Sequence, residues 1–252
     1  MNNTVIQSIV RATEILRCFE GADELGVTEI SSRIGLHKST AFNIITTLER
    51  CRYLEKNDKS GKYRLGIELF RLGTKVDSDL RKIARPYLET LVAEFKETVN
   101  LVVRDSECVI YLEKIESPHS MRISTAVGSR LPVNATAVGK AILSGVPDDE
   151  MTDIIGSLTI ARFTDNTICD KSILMDSIKE VRDTGYAEDF EELEMGLTCV
   201  AAPIFNHTGK AFSAISVSGP TSRMEKEIRT EIGKALVQIT RQISGKLGYI
   251  SK

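Results

Sequence analysis

Residues 35–50 read GLHKSTAFNIITTLER. Ala41, Ile44, Ile45 and Leu48 recur at helical spacing and mark a buried face. The other side carries Ser39, Asn43, Thr46 and Arg50, with Lys38 and Thr40 at its start and almost no carboxylate. Gly35 permits a sharp turn before this helix. The preceding stretch, VTEISSRI at 27–34, predicts a second helix with Thr28 as N-cap, followed three positions later by Ser31 rather than by the Glu of a full capping box. Residues 5–20 predict a first helix with Ile9, Ala12, Leu16 and Phe19 on one face. Downstream, RYLEKNDKSGKYRLG at 52–66 holds two short alternating runs around a turn-rich 57–61, which predicts a hairpin. Helix, helix–turn–helix and hairpin make a winged helix-turn-helix.

That order explains the polar face of 38–50. Ser, Thr and Lys at a helix start suit phosphates, aided by free N–H groups and the helix dipole. Asn43 is suited to a bidentate contact with adenine, and Arg50 to the backbone at the far end. Lys59, Lys62 and Arg64 on the wing would reach flanking phosphates or the minor groove. Charge agrees. The 252 residues carry a net −2, yet 33–64 hold eight Lys/Arg against three carboxylates, a local +5 that leaves −7 for the rest. A basic segment on an acidic protein is what local phosphate binding requires.

The length suits two domains. Five cysteines stand far apart with no CxxC pair, no apolar run approaches the ~18–20 residues of a membrane span, and the N-terminus lacks a signal-peptide pattern. The expectation is a cytoplasmic protein with reduced thiols and no membrane. Beyond the wing, 67–79 suggests a helical linker and 83–98 an amphipathic helix with Leu88, Leu91, Val92 and Phe95 inward. Strands are expected at 99–105, 108–115, 121–127, 199–205 and 211–219. Helices are expected at 135–146, 170–186 and 222–247, the last with Ile228, Ile232, Leu236, Ile239 and Ile243 as a buried stripe. This is an α+β domain on a central antiparallel sheet. The expected division is a winged helix-turn-helix at 1–66, a linker helix at 67–80 and an effector domain at 81–252.

The winged helix-turn-helix, LPVNATAVGKAIL (131–143) and above all GYAEDFEELEMGLTCVAAPIFNHTGKAFSAISVSGP (185–220) resemble the IclR family of bacterial transcriptional regulators. The resemblance implies a DNA-binding domain, a linker helix and a GAF-like effector domain, assembled as a homodimer or homotetramer on a palindromic double-stranded operator. It implies a small-molecule effector, a carboxylate or sugar-acid-like compound, and no cofactor. The family's pocket positions fall on Ala137, Val138, Asp189, Leu197, Cys199, Ser216 and Ser218, with Leu131 and Ile123 as apolar wall. Two positions depart from the pattern. Asn43 stands where relatives often carry Arg, which changes base preference, and Ser120 stands where an apolar wall residue is expected.

The residues support this chemistry without the family. Ala137 and Val138 enter a helix, so their N–H groups can meet an anionic oxygen. Ser216 and Ser218 are two apart on a strand and share a face. Asp189 can accept from a ligand hydroxyl. Plainer readings stand beside these: two serines tolerated in a sheet, Cys199 as a small core residue, and 188–194 as a solvated acidic turn. Gly139 and Gly196 are read as sites of close backbone approach. A metal- or redox-sensing regulator built on Asp189 and Cys199 is the alternative. Catalysis is disfavoured, since His37, His119 and His207 have no context beside Cys199 and no GxSxG or HExxH motif is present.

Overall fold

The computed structural model describes residues 5–73, 78–123 and 125–250, and the described chain divides into two compact units, 1–78 and 79–252. The first unit contains α1 (Gln7–Arg17) running into a 3-10 turn (Cys18–Gly21), α2 (Val27–Arg33), α3 (Lys38–Arg50), the hairpin β1 (Leu54–Lys56) and β2 (Tyr63–Leu65), and α4 (Ile67–Gly73). Ile15, Phe19, Ile30, Ala41, Ile45, Leu48, Leu54 and Tyr63 form its core. The α3 stripe is as expected except that Ile44 is only partly buried. On α1 the face is rotated: Ile15 is fully buried and Ile9 is 60% exposed. The N-cap of α2 is Gly26 rather than Thr28. Glu29, three positions on, accepts the Gly26 N–H at 2.7 Å, so the acidic half of a capping box is present after all.

The second unit is a six-stranded sheet in the order β5-β4-β3-β8-β7-β6 with every neighbour antiparallel. Its strands are β3 (Thr98–Asp105), β4 (Cys108–Ile115), β5 (Arg130–Pro132), β6 (Ala187–Phe190), β7 (Leu197–Phe205) and β8 (Ala211–Pro220). Helices α5 (Ser78–Phe95) and α9 (Lys226–Lys246) cover one face, packing Leu88, Leu91, Ile232, Leu236 and Ile243 on Leu101, Val200 and Ile215. Helices α6 (Ala137–Ser144), α7 (Asp148–Ser157) and α8 (Lys171–Thr184) cover the other. The expected stripe of α9 starts late, for Ile228 is 38% exposed.

One expected strand of this unit is not formed, and two elements are added. The described residues of 121–127 are not in a strand, and Ser124 lies outside the described residues. The strand that pairs with the outer edge of β4 is β5, a few residues on. Helix α7 and strand β6 are additions that neither length nor alternation announced. The expected linker at 67–80 takes in residues 74–77, which also lie outside the described residues.

Strand periodicity positions the site. On β8, Ile215 and Val217 face α5 and α9, so Ser216 and Ser218 face the other way. On β7, Val200 and Ala202 face α9, and Cys199 shares the opposite face. On β4 the alternation is broken. Leu101 pairs with Glu113 and Val102 with Tyr111, so Leu112 is the extra residue of a β-bulge. The bulge sends Glu113 to Arg81 and Arg85 of α5, at 3.1 and 3.4 Å, while Tyr111 points to the opposite face.

Candidate functional site

A cavity of about 560 Å³ opens between the sheet and α6, within the range of small-molecule sites. All nine effector positions expected from the sequence line it: Ile123 and Leu131 on the wall, Ala137 and Val138 at the start of α6, Asp189 on β6, Leu197 and Cys199 on β7, and Ser216 and Ser218 on β8. Strand register sets the polar row, since Asp189 pairs with Cys199 and Cys199 with Ser218. Asn100, buried under the two serines, donates to both hydroxyls at 3.3 Å. Those hydroxyls are thereby held as oriented groups rather than free rotors.

Helix α6 supplies donors. Thr136 caps it, its hydroxyl oxygen accepting the Gly139 N–H at 3.2 Å and its hydroxyl donating to the Pro132 carbonyl at 2.9 Å. The N–H groups of Ala137 and Val138 precede the first intrahelical bond and have no partner among the described residues. They line the cavity at the positive end of the helix dipole. Gly139 is a true close approach, because a Cβ there would overlap the Val133 backbone. Gly196 is not: a Cβ would meet open space, and the residue is needed for its φ of +82°.

Asp189 is 1% exposed and accepts the Glu192 N–H at 2.8 Å. Burial pushes its carboxyl up from 3.8 to about 7, opposed by that N–H and by Lys140. The acidic run 188–194 is therefore neither a plain solvated turn nor a uniform binding loop. Glu192 turns inward to a buried ion pair with Lys140 of α6, while Glu194 stays exposed on the cavity rim. Burial, with Asp189 close by, pushes the Cys199 thiol up. That is the reverse of what a redox-sensing thiol needs. Among the described residues no three of His, Cys, Asp and Glu are grouped so as to hold a metal ion.

The Asp189 shift predicts a pH dependence. A native carboxyl that titrates higher than its unfolded counterpart binds the extra proton in the fold, so its contribution is present below 3.8 and is lost as pH rises to about 7. Asp189→Asn keeps an acceptor for the Glu192 N–H and cannot titrate. The urea midpoint of the native protein relative to this variant should therefore fall between those values and level off above. Parallel pH profiles would show Asp189 to be ionised in the fold.

Sequence reasoning missed two lining residues of chemical weight. Tyr111 is 7% exposed and its hydroxyl has no hydrogen-bond partner among the described residues. Burial pushes this phenol up, so it stays a donor. Its signal was hidden by the β-bulge. Arg122 lines the cavity from the irregular segment that was expected to be a strand.

In the first unit, Thr28 on α2 and Lys38, Ser39, Asn43 and Arg50 on α3 are exposed, and Thr40 is half-buried. Thr46 departs from expectation: it is half-buried, and its hydroxyl is enclosed without a partner among the described residues. Phe42, 49% exposed on the same helix, was passed over although it stands off the apolar stripe. On the wing, Lys62 pairs with Glu29 and Arg64 with Glu55, both at 3.1 Å and both solvent-exposed. Such exposed pairs are worth little. Lys59 has no ion pair among the described residues.

Comparison with known proteins places these features. The family model described as IclR helix-turn-helix domain matches residues 8–58, and that described as bacterial transcriptional regulator IclR C-terminal matches 74–245. The chain is 36% identical over 248 residues to the HTH-type transcriptional regulator XynR of Escherichia coli K12, covering 97% of this chain and 98% of that one. It is 33% identical to the regulator KdgR of the same organism, covering 97% and 94%. The crystal structure of an IclR transcriptional regulator from Alicyclobacillus acidocaldarius superposes with a TM-score of 0.85 at 29% identity, covering 96% and 99%. With a helix-turn-helix in one unit, a polar-floored cavity in the other and these matches over both, the chain belongs to the IclR family of bacterial transcriptional regulators.

Proposed function

We propose that the 560 Å³ cavity binds a small organic acid and that its occupancy alters the affinity of α3 for a palindromic operator. The observation that carries this reading is the convergence of two unpartnered α6 amides with Asp189, Cys199, Ser216 and Ser218 on one apolar-walled cavity. The carboxylate is taken by the Ala137 and Val138 N–H groups, and ligand hydroxyls by the β6–β8 row. The two sites communicate as a coupling free energy, typically ~1–3 kcal/mol. The working unit is a homodimer or a pair of dimers in the cytoplasm, one α3 per half-site. Exposed Ile6, Ile9, Ile67 and Phe70 in the first unit are apolar enough to suit a self-interface. Among the described residues, no helix is long and apolar enough to cross a membrane.

Fluorescence anisotropy with the DNA upstream of the protein's own gene, excess nonspecific competitor and a panel of organic acids tests this. Salt-sensitive binding that one acid changes supports the reading. Specific binding that no acid changes would refute the effector role of the cavity. Variants dissect the interface. Lys38→Ala should weaken binding on all sequences and lower the salt slope by about one. Asn43→Ala should cost ~1–3 kcal/mol at one base position and relax its preference.

A further inference from the structure

We propose that Arg122 is a second anion anchor of the cavity, and that the effector class it selects is the linear dicarboxylate. This rests on the cavity being an effector site. Ala137 and Val138 are 1% and 2% exposed, so the α6 amides lie at the cavity floor. The Arg122 side chain is 41% exposed and lines the same space, which places it at the mouth. Its segment is tethered. Ser117 donates to the Lys96 carbonyl at 2.5 Å, and Arg223, paired with Glu97, donates to the Met121 carbonyl at 3.1 Å.

The guanidinium itself is only partly used. Its Nε donates to Glu116 at 3.0 Å, and its two terminal nitrogens have no hydrogen bond among the described residues. That leaves the forked edge that matches a carboxylate. Glu116 also takes Lys114 at 3.1 Å on its other oxygen. If Arg122 turns to a ligand, Glu116 keeps a counter-charge and the exchange leaves no lone carboxylate. Glu194, on the rim, is exposed, so its repulsion of a second anion is screened. An acid the size of acetate would engage one end and leave most of 560 Å³ to water. An acid with two anionic ends engages both.

Calorimetric titration of the full-length protein tests this with the linear dicarboxylates from succinate to suberate, each against its monomethyl ester. The best dicarboxylate should bind the native protein at least about tenfold more tightly than its ester. Arg122→Gln should bring that ratio close to one. Glu116→Gln removes the competitor for Arg122 and should tighten dicarboxylate binding. If Arg122 merely braced its loop through Glu116, both substitutions would weaken every ligand alike, and the proposal would fall. Equal binding of diacid and ester by the native protein would also overturn it, leaving the effector reading intact. Failure of every acid to bind would overturn that reading too.

Discussion

Lys140→Met is expected to destabilise the C-terminal unit by about 3–5 kcal/mol, as removing one partner of a buried ion pair does. Lys140 and Glu192 are 4% and 7% exposed and pair with each other. Glu192 is poorly placed to lose its cation, because its second oxygen is already buried without a hydrogen bond among the described residues. Its backbone N–H also donates to Asp189. A loosened Glu192 would thus be felt in the cavity as well as in stability. Glu192→Leu alone should be damaging for the reciprocal reason. The double variant, apolar on both sides, should recover most of the loss, since isosteric replacement of a whole buried pair is often neutral or better. Guanidinium unfolding of the four proteins, followed through the transition of this unit, closes the cycle. A single-variant cost below about 1 kcal/mol would mean that water reaches the pair and that it does not lock 192 to α6.

The second large effect is expected at Gly139→Ala. The new methyl would overlap the carbonyl and Cα of Val133, and backbone cannot swing aside as a side-chain tip does. Either α6 or the 130–133 segment must shift, at a cost of about 1–3 kcal/mol or more. Gly139 is also the residue whose N–H Thr136 caps, so the displaced turn is the one that presents the Ala137 and Val138 amides. Effector affinity should drop on the order of tenfold or more, because hydrogen bonds to a charged group are the strong ones. Gly156→Ala on α7 is the control. A Cβ there meets nothing within 4 Å, and alanine is the better helix former by about 1 kcal/mol. Thermal unfolding and acid titration of both variants check this. Unchanged melting and affinity for Gly139→Ala would show that the Val133 segment gives way freely, and that its approach does not fix the amides.

What the sequence determined by itself is what repeats locally. The α3 stripe shows a 3.6-residue period, the wing shows two alternating runs around a turn, and Ser216 and Ser218 share a face because a strand has period two. The motif-rich 131–143 and 185–220 named the family, and through it the nine positions that the sheet, α6 and the segment around Ile123 bring to one cavity. What only the tertiary structure decided depends on partners distant in the chain. Alternation would have put Tyr111 and Glu113 on one face of β4; the bulge at Leu112, set by pairing with β3, separates them into the cavity and the α5 contact. The alternating 121–127 looked like a strand, but β4 pairs instead with 130–132, and Arg122 is left on the cavity wall. Thr46 read as an exposed polar residue because helical phase does not show that its neighbours enclose it. The raised titration of Asp189 is a sum over burial, the Glu192 amide, the Glu192 charge and Lys140, contributed by separate parts of the chain. No window of sequence contains that sum, because desolvation is a property of packed surroundings rather than of the residue.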